Sequence, residues 1–381
     1  MLLVQLLTLA SVCSCAQILL PELTGPHHIG LTHLELIDYN RPDARDLMVT
    51  FFYPTPNTSS RPLGPQFSPA TAAYIDKSLS LSPGTAAALT TRAQLDAPIA
   101  DPYTAPVILF SHGFGFVRGL YSSLLSDLAS WGWVVAAVDH PHDAALVEYP
   151  DGRVALARNW SWPLDPRVRE AALEARVEDL LFVLGQMGDA EVMAQIPSMR
   201  PGLADGEGVL RLQCRARGLR TTAFNVPSVA VLGHSFGGAT AVQALMDAPA
   251  VVAAADLDGF LYGPVVQSGT DKPVLVLGFP EHFATDDPDA APGWPSLRGW
   301  KRDFTVDGTV HESYSDYSVL ADILGAQGPE AGTVPGARTV EITRTYLDAF
   351  YHKFLLGVDD EGVLSGNCST FTEVALRRSK G

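Results

Sequence analysis

The sequence predicts an α/β fold with a mostly parallel central sheet, antiparallel N-terminal strands and helices on both faces. Three observations carry this. Short apolar runs alternate with helix-like segments between residues 107 and 277, a rhythm that implies right-handed crossovers and a sheet covered on both sides. Upstream, two β-like runs at 29–36 and 47–53 are separated by turn residues that include proline, as in an antiparallel opening. Finally, Gly233-His234-Ser235-Phe236-Gly237-Gly238 stands between the apolar run 229–232 and the helix-like run 239–245, so that a strand, a sharp turn and a helix meet on one serine.

Taken in order, the chain opens with an uncharged apolar stretch, residues 1–16, ending Ser14-Cys15-Ala16. It reads as a secretory signal peptide cleaved after Ala16, although the basic n-region is missing, and it is too short to span a bilayer. Secretion is consistent with three glycosylation sequons, at Asn57, Asn159 and Asn367. Removing 1–16 removes Cys13 and Cys15 and leaves Cys214 and Cys368, an even pair that an oxidising compartment would join as a disulfide. The remaining residues, 17–381, contain no repeat or low-complexity tract and are 47% hydrophobic over the whole chain, enough for one large domain. No other stretch is long and apolar enough for a stable transmembrane anchor. The net charge of −16 is spread along the chain, which argues against nucleic acid and anionic membrane surfaces as partners.

Strands are expected at 107–110, 133–138, 229–232, 252–256 and 274–277. The segment 167–187 carries a helical stripe of Ala172, Val177, Leu180, Leu181 and Leu184 with charged residues between, so one face packs on the sheet. Two loop insertions interrupt the pattern, at about 188–227 and 278–300. The second is rich in proline and holds Phe279, Phe283, Trp294 and Trp300. Both read either as lids and acyl-pocket walls or as surface excursions.

In a G-x-S-x-G elbow the hydroxyl stands clear of the backbone, but serine is a poor nucleophile until a histidine accepts its proton and a carboxylate orients that histidine. The order serine, acid, histidine leaves three histidines after Ser235. His352 lies in a helix-like segment and reads as a packed histidine, while His282 sits on the proline-rich loop. His311 follows a β-like run and a turn, where a last strand would deliver a base. The acid is Asp256 or Asp258, two residues that share a strand face, so periodicity alone does not separate them. An oxyanion needs two N–H donors. Phe236, directly after the nucleophile, offers one, and Phe114, flanked by glycines in the turn after 107–110, offers the other. The run His140-Pro141-His142-Asp143 matches no zinc spacing, and serine chemistry needs no metal or cofactor.

With these residues in hand, the chain resembles the plasma-type platelet-activating factor acetylhydrolase family, a branch of the α/β-hydrolases. Phe110-Ser111-His112-Gly113-Phe114-Gly115-Phe116-Val117-Arg118 is similar to that family's F-S-H-G-x-G-x-x-R turn. Leu120-Tyr121-Ser122, Asp127-Leu128-Ala129, Val135-Ala136-Ala137-Val138-Asp139-His140, the elbow and Leu257-Asp258 extend the likeness over most of 100–320. The resemblance implies Ser235 as nucleophile, Asp258 as acid and His311 as base, with the amides of Phe114 and Phe236 as oxyanion donors. It places the acid after the strand that follows the nucleophile helix. It also implies a secreted esterase that cleaves phospholipids with short or oxidised sn-2 chains without calcium, and that touches a lipid interface transiently. The chain departs from the family at Tyr314, commonly phenylalanine, and in both insertions. A broad carboxylesterase or polyester hydrolase is the main rival expectation, and an inactive hydrolase-fold binding module a remoter one.

Overall fold

The computed structural model describes residues 17–56, 60–101, 105–159, 163–199, 224, 228–283, 293–326, 328–359 and 361–380. The expected leader at 1–16, Asn57 and Cys214 lie outside them. The described strands are β1 (Ile18–Leu19), β2 (Ile29–Asp38), β3 (Arg45–Pro54), β4 (Leu63–Pro65), β5 (Leu89–Leu95), β6 (Val107–Ser111), β7 (Val134–Asp139), β8 (Leu146–Glu148), β9 (Val154–Leu156), β10 (Val229–His234), β11 (Val251–Leu257), β12 (Val274–Gly278), β13 (Lys301–Val306) and β14 (Val374–Lys380). The helices that matter below are α1 (Ser122–Ser130), α2 (Pro166–Met187), α3 (Phe236–Asp247), α4 (Tyr317–Leu324) and α5 (Gly336–Leu355).

Twelve of these strands form one sheet in the order β1-β5-β2-β3-β7-β6-β10-β11-β12-β13-β14, with β4 beside β5. The run from β7 to β13 is parallel. Strand β3 joins it antiparallel to β7, and β2 pairs antiparallel with β3. This is the mostly parallel sheet that the alternation of runs predicts, arranged as the α/β-hydrolase fold that the resemblance implies. Because side chains alternate along a strand, β6 divides between two cores. Ile108 and Phe110 pack with α1 and α5 on one face, whereas Val107 and Leu109 pack with α2 and α3 on the other.

Helix α2 begins where its sequence directs. The Asp165 carboxylate accepts from the Arg167 N–H (2.9 Å) and Pro166 takes the first turn, a position where a missing N–H costs nothing. Its buried face differs from the expected apolar stripe, because it includes Arg176 and Asp179. Each has partners that offset its desolvation: the buried Asp143 for Arg176, and the half-buried Arg45 and buried His140 for Asp179.

The chain leaves β6 through α1 toward β7, and leaves β10 through α3 toward β11. Since β6 and β10 are neighbours whose connections run in opposite directions, a crevice opens at their carboxyl ends, where α/β sheets bind ligands.

The described parts of the two insertions pack into the cores. Met193, Ile196, Met199 and Phe224 are buried against the α2 side, and Phe224 stacks on Phe51 at 6.4 Å. Trp300 lies against Phe350 and Phe354 of α5 (5.5 and 5.0 Å), and Trp294 takes Lys301 and Arg378 on its ring (both 4.4 Å). Phe224 and Trp300 are thus packed among apolar side chains, and Trp294 is held by two cations. Strand β14, which the sequence pattern does not announce, closes the far edge antiparallel to β13; its Arg377, Arg378 and Lys380 disguise it as a polar tail, although Arg378 is half-buried against Asp303.

Candidate active site

At the end of β10 the backbone turns so tightly that Ser235 adopts φ 57° and ψ −121°, a strained conformation for a residue with a side chain. Glycines make the turn possible. A Cβ on Gly233 would fall 1.9 Å from the Gly237 carbonyl oxygen, and one on Gly237 would fall 2.0 Å from the Ser111 carbonyl oxygen. The Ser235 N–H donates to the Leu257 carbonyl (2.8 Å), continuing the β10–β11 ladder into the elbow. Helix α3 starts at Phe236, so its N-terminal dipole faces the hydroxyl.

After β13 a turn leads into a short 3₁₀ helix, His311–Tyr314. This brings the His311 Nε2 to 2.9 Å from the Ser235 Oγ, while its Nδ1 donates to the Asp258 Oδ2. The two strand-end aspartates part at this point. Strand β11 stops at Leu257, and Asp258 turns with φ 57°, so the carboxylates no longer share a face. The Asp258 side chain is fully buried and also accepts from the Phe279 N–H (3.0 Å), whereas Asp256 accepts from the Gly259 N–H (2.8 Å) behind the elbow. Burial disfavours the charged imidazole of His311, but the hydrogen bond and negative charge of Asp258 outweigh it and raise its pKa above the ordinary histidine value.

The other two histidines take different places. His352 lies in α5, where its Nδ1 donates to the Asp348 carbonyl (2.9 Å) and its ring meets Trp133 edge-on at 5.3 Å. His282 falls in a 3₁₀ turn, Pro280–Phe283.

The turn after β6 faces the elbow. Phe114 is half-buried and its ring meets Phe236 edge-on (6.4 Å), and the Tyr262 ring lies 6.2 Å from that of Phe236. Phe114, Phe236 and Tyr262 thus form one aromatic cluster next to the elbow. Beneath it, the Gly113 N–H donates to the Tyr121 hydroxyl (3.0 Å), which donates to the His234 Nδ1 (2.8 Å). The His234 Nε2–H donates in turn to the His311 carbonyl (2.9 Å); a carbonyl only accepts, which sets the tautomer. One chain of hydrogen bonds therefore ties the glycine turn to the backbone of the histidine. Tyr314 is buried, its ring 6.4 Å from His234.

A match to the family described as platelet-activating factor acetylhydrolase, isoform II, spans residues 12–355. The chain belongs to this family. It is a carboxylic ester hydrolase, like the members it resembles. A fungal protein of Arthroderma benhamiae, named "Probable 1-alkyl-2-acetylglycerophosphocholine esterase", is 27% identical over 94% of this chain and 93% of its own length. The platelet-activating factor acetylhydrolase of Cavia porcellus is 28% identical over 70% of this chain, an alignment that spans 61% of that protein. Among solved structures, a ferulic acid esterase from Streptomyces cinnamoneus superposes with a TM-score of 0.75 at 29% identity, covering 96% of this chain and all of that one.

For this acetylhydrolase-family chain, the structure brings Ser235, Asp258, His311, Phe114 and Phe236 to one crevice. Tyr121, His234, Asp143 and Arg176 support them and were not singled out as site residues from the sequence. The signal for Arg176 was present: it lies four residues after Ala172 on the apolar stripe, where a charge demands a partner. Within the His140–Asp143 run, His140 and Asp143 are buried hydrogen-bonding groups, whereas His142 is exposed. His140 bridges the Ser111 Oγ (2.9 Å) and Asp179 (2.8 Å), and no cluster suited to a metal occurs among the described residues. Asn159 and Asn367 are exposed, and Cys368 is half-buried. No helix among the described residues is long and apolar enough to cross a membrane.

Proposed function

We propose that this chain hydrolyses the short sn-2 acyl ester, acetyl above all, of platelet-activating-factor-like or oxidised phospholipids without calcium. Ser235 Oγ attacks the ester carbonyl while His311 Nε2 takes its proton. Asp258 holds the resulting imidazolium, and the N–H groups of Phe114 and Phe236 receive the oxyanion. His311 then protonates the leaving lysophospholipid oxygen, and on the return step it activates the water that releases the acyl group. The observation that carries this reading is the Ser235–His311–Asp258 hydrogen-bond line at the crevice, in a chain of this family.

The aromatic cluster of Phe114, Phe236 and Tyr262 next to the elbow, together with the likeness to a ferulic acid esterase, favours a second reading, a broad carboxylesterase. A panel on purified protein separates the two: 1-alkyl-2-acetyl-glycerophosphocholine, its longer sn-2 homologues, p-nitrophenyl acetate and butyrate, and methyl ferulate, each with and without EGTA. We expect the highest kcat/KM on the acetyl phospholipid and no effect of EGTA. Comparable values on the soluble esters would support the broad enzyme. Ser235→Ala should lower kcat by about 10⁶-fold, and full turnover in that variant would refute the assignment.

The reading includes export, supported by the apolar leader and by the exposed Asn159 and Asn367. Expressed in a eukaryotic secretory host, the protein should appear in the medium beginning at Gln17 and lose mass on treatment with a peptide N-glycosidase. Retention inside the cell with Met1 intact would contradict it.

A further inference from the structure

We propose that Arg176, braced by Asp143 and assisted by His112, is a positioning residue that fixes the Gly113–Phe114 peptide and with it the oxyanion hole. This rests on the serine esterase reading above. Arg176 projects from α2 and is fully buried. Its Nε and Nη2 grip the two Asp143 oxygens (2.7 and 2.5 Å), and its remaining N–H groups reach toward the turn after β6. Nη1 donates to the His112 carbonyl (2.5 Å) and to the Ser111 Oγ (3.3 Å), and Nη2 lies 3.5 Å from the Gly113 carbonyl.

The Gly113 carbonyl also accepts from the His112 Nδ1 (2.7 Å) and the Phe116 N–H (3.1 Å). Three donors therefore hold this oxygen to the buried side. In a trans peptide the C=O and the following N–H point in opposite directions, so the Phe114 N–H is turned away from the arginine cluster. Rotating that peptide would strip the carbonyl of its donors in a buried site.

The clamp also reaches the second donor residue. The Arg176 guanidinium lies over the Phe236 ring at 4.9 Å, and the Gly115 N–H is fixed by the Asp143 carbonyl (3.2 Å). Ser111 and His112 are themselves tied down, since His140 hydrogen-bonds both and Asp179 holds His140. Satisfied buried networks of this kind are rigid.

The test is Arg176→Lys, which keeps charge and length but loses the planar fork. On p-nitrophenyl acetate we expect kcat to fall on the order of 10²-fold, as for loss of one oxyanion donor, with KM within about threefold. A trifluoromethyl ketone inhibitor, whose hemiketal oxygen occupies the hole, should weaken by the same factor. The pH midpoint of kcat/KM should stay in place, because the His311–Asp258 pair is untouched. A folded variant with wild-type kcat and inhibitor affinity would overturn the proposal. If Arg176→Lys does not fold, Arg176→Met/Asp143→Leu replaces the buried pair with apolar groups and the same readouts apply. Failure of both to fold would assign the pair to folding alone and also overturn it. Ser235→Ala run alongside separates the two levels: activity that survives it defeats the serine reading, whereas Ser235-dependent activity that is indifferent to Arg176 defeats only the positioning role.

Discussion

In the proposed mechanism His311 accepts a proton only while neutral, and its raised pKa means that kcat/KM should climb with pH through a midpoint above the ordinary histidine value. Removing the Asp258 charge takes away what holds the imidazolium. Asp258→Asn should therefore move that midpoint to lower pH while kcat falls by roughly 10⁴-fold, because the amide stabilises the wrong tautomer; a pH–rate profile with an unmoved midpoint would refute this. That Ser235 and His311 belong to one site was legible in the sequence, since an elbow and a histidine after a strand are local patterns. Asp256 and Asp258 were not separable by periodicity, because the left-handed turn at Asp258 that sends the two carboxylates apart leaves no mark in a hydrophobic pattern. The partner of Arg176 was hidden for a different reason: Asp143 lies 33 positions away and meets it only once α2 has docked.

At the scale of elements, α3 can start at the elbow because Gly237 lets it rest against the end of β6. The atom in the way of a side chain there is the Ser111 carbonyl oxygen, 2.0 Å from the Cβ position, and backbone cannot yield by changing a rotamer. Gly237→Ala should cost about 1–3 kcal/mol or more and should also lower kcat, since the displaced strand end carries the Gly113–Phe114 turn proposed to receive the oxyanion. Urea denaturation would show this as a lower midpoint at unchanged slope; an unchanged midpoint together with unchanged activity would contradict it. The buried parallel strands were readable as apolar runs and α2 as an amphipathic helix. Strand β14 was not, because an edge strand with charged residues on its exposed face looks like a tail. The aromatic residues of the insertions have the composition of a pocket wall, and only packing against α5, β13 and β14 shows where Trp294 and Trp300 belong.

At the scale of the whole molecule, Asp316 joins the histidine segment to the first turn of α1. Its carboxylate accepts from the Ser123 N–H (3.2 Å) and the Gln66 Nε2 (2.8 Å). Burial raises its pKa to about 7, against the lowering effect of those bonds. A folded-state pKa above the unfolded value of roughly 3.9 contributes stability below pH ~4 that is lost as pH rises through about 7. Wild-type protein should therefore lose thermal stability between pH 5 and pH 8 more steeply than Asp316→Asn; parallel curves would contradict the assignment. The ladder bond from the Ser235 N–H to the Leu257 carbonyl, and the next one from the Asp258 N–H to the Leu277 carbonyl (2.7 Å), have a consequence for how such a chain can diversify. The spacing between the two reactive positions is counted in sheet rungs of roughly 4.8 Å, not in connecting residues. Connections between strands can lengthen, shorten or change composition across relatives while the ruler beneath the reaction keeps its marks.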